Sequence, residues 1–107
     1  APLRAKCGEW AKLTQDVLQR AASNPEELGA ASTDYLFYSG YVVLAYWWAR
    51  SVAAANASSR TQAFKDAKRD TARFFYARIL PRTLAHRTAI ESGADTLMAM
   101  PAESFGE

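Results

Sequence analysis

Between Tyr35 and Ala49 the chain reads YLFYSGYVVLAYWWA, a run that holds seven of the thirteen aromatic residues and no charge. Wound at 3.6 residues per turn, the run places Phe37, Tyr41, Leu44, Trp48 and Val52 on one face of a helix, and Leu36, Gly40, Val43 and Trp47 on a second. Tyr35, Val42, Tyr46, Ala49 and Ala53 fill a third. A helix that is apolar all round needs surroundings of lipid or of protein. The run is shorter than the roughly 20 residues that span a bilayer, and Arg50 ends it before Ala53 to Ala55 extend it. It is richer in Tyr and Trp than in Leu and Ile. A helix buried in protein is therefore expected, and no membrane partner.

At 107 residues the chain has room for one domain, and a domain of this size buries roughly 65% of the surface its unfolded form exposes. Half of its residues are hydrophobic, while Gly and Pro are scarce, which excludes a disordered or fibrous class. The single Cys7 has no internal partner for a disulfide, and no charged-then-apolar leader is present, so a reducing, cytoplasmic setting is expected. The chain opens on Ala1 and enters a helical pattern within three residues. One helical domain over residues 1–107, as if cut from a longer polypeptide, is the organisation expected from this.

Three helices account for almost the whole chain. Leu3, Cys7, Trp10, Leu13, Val17 and Ala21 recur at intervals of three and four, with Glu9, Lys12, Asp16 and Gln19 opposite, which predicts an amphipathic helix over Leu3 to Ala22. Ser23-Asn24-Pro25 ends it: Asn24 can cap the next helix, Pro25 suits its first position, and Glu27 has capping-box spacing. The second helix is predicted to run on to about Ala57, through Gly29 and Ser32-Thr33-Asp34. A third, capped by Ser58 or Ser59, follows the stripe Phe64, Ala67, Thr71, Phe75 and Ile79. Pro81 predicts a kink or break near Leu80, the pattern resumes through Leu84, Arg87 and Glu91, and Gly93 closes the helix before a short tail that is extended or a turn. Two short loops between three helices predict an all-α, antiparallel up-down-up bundle.

Two neighbours cannot cover three faces. One face of the second helix must meet something outside the chain, and the candidates are Phe37, Tyr41, Leu44 and Trp48, with Trp47 expected inside. Arg78 and Arg82 project near the apolar stripe of the third helix, where an arginine packs its stem and pairs its head with a carboxylate at an interface or within the bundle, such as Asp34.

Chemistry-bearing constellations are sparse. His86 is the sole histidine and reads as a rim residue; Cys7, on the apolar stripe, reads as a small buried hydrophobe; no residues at metal-ligand spacing, glycine-rich phosphate loop or Ser/His/Asp set is present. Neither catalytic, cofactor-binding nor metal-binding residues are assigned. Charge is uneven. Residues 58–92 carry +5, the remainder up to Ala57 is balanced, and the tail carries −3. Arg69 and Arg73, one turn apart, would centre a phosphate-tracking stripe, the basis of an alternative reading as a stand-alone module binding nucleic acid. Asp66 and Asp70 are interleaved with them and favour a solvated face with local pairs.

Three blocks, GYVVLAYWWAR from Gly40, K-x-x-x-A-x-FFYARILPR from Lys68, and SGADTLMAMP from Ser92, resemble the carboxy-terminal helical domain of some large bacterial acyl-CoA dehydrogenases, the group that includes the methylmercaptopropionyl-CoA dehydrogenases. The resemblance extends over roughly residues 5 to 105. It implies a parent flavoenzyme that uses FAD to oxidise an acyl-CoA thioester across its α,β bond, with the base, flavin pocket and CoA channel in upstream domains. For this chain it implies a packing role against those domains and in a homodimer, and no catalytic residue.

Overall fold

The computed structural model describes residues 2–106, and among them every regular element is helical. Helix α1 spans Pro2–Ser23, α2 Glu26–Ala57, α3 Gln62–Phe74, α4 Thr83–Ser92 and the short α5 Asp95–Met98. A π-helical turn, Phe75–Ile79, and a 3-10 turn, Leu80–Arg82, join α3 to α4, and a last 3-10 turn covers Ala102–Gly106. The long second helix runs uninterrupted through Gly29 and Asp34, as its pattern predicts.

The helix ends show how local chemistry sets these bounds. The Asn24 side chain accepts from Glu26 N at 3.1 Å and its carbonyl from Glu27 N at 3.1 Å, so Asn24 serves the free amides at the start of α2. Glu27 does not complete a capping box. Its carboxylate instead accepts from Ala94 N at 3.1 Å, tying the start of α2 to the end of α4. The cap of α3 is Thr61, whose hydroxyl accepts from Phe64 N at 3.2 Å, in place of the predicted Ser58 or Ser59. Ser58 closes α2 instead, its amide and hydroxyl both donating to Ala55 O.

The predicted third helix is two helices. Pro81 has no N–H to donate and its ring clashes with the preceding turn. The backbone answers by widening first, with Leu80 N bonding Phe75 O five residues back, and then tightening into the 3-10 turn. Thr83, fully buried, returns a hydroxyl donor to Leu80 O at 2.7 Å. At the far end, Gly93 takes φ 75 and ψ −165, a region essentially reserved for glycine, and a Cβ there would stand 3.2 Å from Glu27 Oε2. Gly93→Ala is expected to cost about 1–3 kcal/mol, read in chemical denaturation; an unchanged midpoint would mean that this crossing is not fixed.

Helix α2 is the axis on which the others pack. Leu13 and Val17 of α1, Ala31, Tyr38 and Val42 of α2 and Ile90 of α4 form one core cluster, flanked by Trp10 and Tyr35. Ala45, Phe75 and Leu80 form a second, flanked by Leu3, Tyr41, Trp48, Tyr76 and Ile79. The covered seam of α2 is thus Ala31, Tyr38, Val42 and Ala45. Tyr38 and Ala45, both 0% exposed, belong to none of the three faces drawn from sequence.

Two expectations fail here. Trp47 is 55% exposed and not inside, because the seam centres on Tyr38 and Ala45, a half-turn away from it. Cys7 is exposed, since the first turns of α1 meet the core through Leu3 and Trp10 and leave Cys7 to one side.

The molecule is a thin slab of 64 × 32 × 15 Å with a radius of gyration of 18.7 Å, against about 13 Å for a compact domain of this length. It exposes 7431 Å², where a compact monomer of its mass exposes about 5,900 Å². Among the described residues no helix is long and apolar enough to cross a membrane.

Candidate interaction surface

Opposite the seam, α2 presents an uncovered apolar ridge. Leu36, 70% exposed, leads through Gly40 and Val43 to Trp47, with Leu44 and Phe37 beside it. A Cβ at Gly40 would meet nothing within 4 Å, so this glycine has no packing reason within the chain, although it weakens a helix interior by about 1 kcal/mol relative to alanine. The ridge continues at its amino-terminal end into a groove between α1 and α2, lined by Val17, Leu18, Leu28, Ala31, Tyr35 and Leu36, with a volume of about 530 Å³. Together they form one apolar strip along the length of α2.

Four residues predicted to lie at an interface divide. Phe37 and Leu44 are exposed. Tyr41 and Trp48 are half-buried against the Phe75–Leu80 cluster of their own chain, because the π turn brings those residues over the carboxy-terminal half of α2. The heart of the ridge, Leu36, Val43 and Trp47, is not the face expected to be open, since Trp47 was expected inside. A signal was present: Ala31, Tyr38 and Ala45 recur every seven residues, the spacing of a packed seam, and the residues opposite a seam are the open ones.

The arginine expectations also change. Asp34 pairs with His86, whose Nδ1 donates to Asp34 Oδ1 at 2.8 Å, and not with Arg78 or Arg82. The His86 ring stacks on Phe37 at 5.3 Å between centroids, with an interplanar angle of 10°, and lies 5.8 Å from Tyr41. Arg78 and Arg82 are exposed and form no ion pair among the described residues. They sit on the π and 3-10 turns, whose changed pitch rotates them off the packed stripe. Arg69 is engaged by Asp66 at 3.0 Å, which takes one cation from the predicted phosphate-tracking stripe, while Arg73 is exposed.

The polar network beneath the slab is structural in character. Glu9 accepts from Tyr38 Oη at 2.5 Å, Lys6 Nζ at 3.2 Å and Arg87 Nη1 at 2.8 Å, so one carboxylate joins α1, α2 and α4. Burial pushes its pKa up, but the Tyr38 and Lys6 hydrogen bonds and the two cations outweigh that and hold it below the ordinary value of 4.5. The same burial, with Glu9 as acceptor, pushes the Tyr38 phenol well above its usual 10.0. A carboxylate with a lowered folded-state pKa stabilises fully above its unfolded value and loses that contribution as pH falls through the folded value. Between pH 5 and pH 3 the wild-type thermal midpoint is therefore expected to fall more steeply than that of Glu9→Gln. Parallel curves would remove Glu9 as the cause.

Among the described residues no three His, Cys, Asp or Glu side chains are grouped to hold a metal ion. No curated protein and no solved structure matches the chain. A family model described as acetyl-CoA dehydrogenase C-terminal like matches residues 1–101, nearly the whole length. With a helical slab and an open apolar ridge, the chain belongs to the acetyl-CoA dehydrogenase C-terminal-like family.

Proposed function

We propose that this chain is the packing and assembly domain of an FAD-dependent acyl-CoA dehydrogenase, in which upstream domains oxidise an acyl-CoA at its α,β bond. In this reading α1, α2 and the split α3–α4 unit run up-down-up, and their shared slab lies against the parent and helps to form a cytoplasmic homodimer. The observation that carries it is the ridge Leu36, Gly40, Val43 and Trp47 with its adjoining groove. An uncharged strip along a helix in so thin a fold has the chemistry of a buried contact.

In this reading FAD is held outside this chain. Among the described residues the one glycine with positive φ, Gly93, faces the Glu27 carboxylate, which disfavours a diphosphate at that point. Flavin and acyl-CoA chemistry is accordingly assigned to the parent, and no residue of this chain to catalysis.

The test is expression of the chain alone and joined to its upstream sequence. The 107-residue chain should be colourless and bind neither FAD nor acyl-CoA, whereas the longer protein should be yellow and oxidise acyl-CoA. Stoichiometric FAD on the chain alone would overturn the assignment. Salt-sensitive binding to duplex DNA, lost on changing Arg69 and Arg73, would point to the nucleic-acid alternative instead.

A further inference from the structure

A second groove lies at the opposite end of α2 from the α1–α2 turn. Leu3 of α1, Ala49 and Val52 of α2, and Ala72 and Tyr76 of the α3 side form its apolar floor, with a volume of about 430 Å³. Arg73 and Arg69, the latter also paired with Asp66 through one of its nitrogens, stand on its rim. The groove exists because α1 begins at its edge while α3 lies across α2, leaving a valley that α4 fills farther down.

The chain carries a segment of matching chemistry. From Asp95 to Gly106 every residue is exposed, including Leu97, Met98, Met100 and Phe105, the last at 74%. Asp95 and Glu103 make this apolar tail acidic, and it contains no base. Its own groove is out of reach. The tail leaves the body at Ala94, bonded to Glu27 at the start of α2, whereas the groove centres on Ala49 and Val52, about 33–38 Å along the helix at 1.5 Å per residue. With its two helical turns kept, the tail brings Phe105 no more than about 24 Å from Ala94.

We propose that the Asp95–Gly106 tail of one copy docks into the Leu3–Val52–Tyr76 groove of a second copy, its apolar side chains on the floor and its carboxylates facing Arg69 and Arg73, with the exchange made reciprocally about a two-fold axis. Such an interface is self-complementary, since each copy supplies one tail and one groove. Opposite charges at the rim fix the register and speed encounter, and the aromatic ring supplies the anchor. The contact is separate from the α2 ridge, so it stands or falls independently of docking on a parent.

Two charge-reversed versions of the 107-residue chain test it. One carries Arg69→Glu and Arg73→Glu, and the other Asp95→Lys and Glu103→Lys; all four positions are exposed, and circular dichroism checks that both fold. In analytical ultracentrifugation the wild type should self-associate, each version alone should associate at least about tenfold more weakly, and their mixture should form a heterodimer, because both tail–groove contacts then pair opposite charges. Phe105→Ala should weaken wild-type association about tenfold or more, and Leu84→Ser, at an exposed apolar residue outside tail, groove and ridge, should leave it unchanged. A wild type that stays monomeric, versions that associate as well as the wild type, or a mixture that forms no heterodimer would each refute the exchange.

Discussion

Tyr38→Ala should remove about 3–5 kcal/mol of folding stability, a large share of the roughly 5–16 kcal/mol available to a domain of this length. The ring has no exposed surface and sits among Leu13, Val17, Val42 and Ile90, the residues that join α1, α2 and α4. Its loss leaves a cavity where three helices meet, and it takes from Glu9 a hydrogen-bond donor in a partly buried site. Tyr38→Phe separates these effects. Glu9 keeps Lys6 and Arg87, so losing the hydroxyl alone should cost about 1–3 kcal/mol. Urea titrations followed by circular dichroism measure both. Equal losses for the two variants would assign the effect to the hydroxyl, and a loss under 1 kcal/mol for Tyr38→Ala would place the core elsewhere.

Two adjacent tryptophans should behave in opposite ways. Trp47→Ser should leave folding stability within about 0.5 kcal/mol, because the ring projects from the open ridge. In the longer protein the same change should weaken docking by about 2 kcal/mol or more, some thirtyfold in the equilibrium. Trp48→Ala should do the reverse and cost about 2–4 kcal/mol of stability, since Trp48 packs on the Phe75–Leu80 cluster of its own chain. Denaturation of the isolated chain, paired with sedimentation of the longer protein, reads both. If Trp47→Ser destabilises the isolated chain as much as Trp48→Ala, the ridge is not a docking face.

What was legible in the sequence was punctuation. Asn24-Pro25 marks the turn before α2, Pro81 the break and Gly93 the close, because each residue acts on backbone within a turn of itself. What was not legible was orientation. When a helix is apolar on every face, periodicity carries no phase, so the burial of Tyr38 and the exposure of Trp47 were decided by what α1 and α4 bring to α2. The His86–Asp34 pair was hidden for a related reason, since the two residues lie 52 positions apart and meet only after the segment has broken at Pro81. The groove beside Arg69 and Arg73 was hidden too. Their spacing is a sequence property, but the floor beside them is completed only by Leu3 of α1 and Ala49 and Val52 of α2.

The π turn at Phe75–Ile79 also sets a counting rule for the chain. It adds one residue to what would otherwise be a regular turn, and one residue is about 100° of rotation around a helix axis. Across this turn and the 3-10 turn that follows it, Ala72, Thr83 and Ile90 all stay turned inward, the first and last of them 18 residues and five full turns apart. A deletion of any single residue from Tyr76 to Ile79 would upset that phase and swing α4 by that angle, taking Ile90 out of the core and Arg87 away from Glu9. Insertions and deletions in this family should therefore be far less tolerated within Phe75–Ile79 than in the Ser58–Thr61 loop.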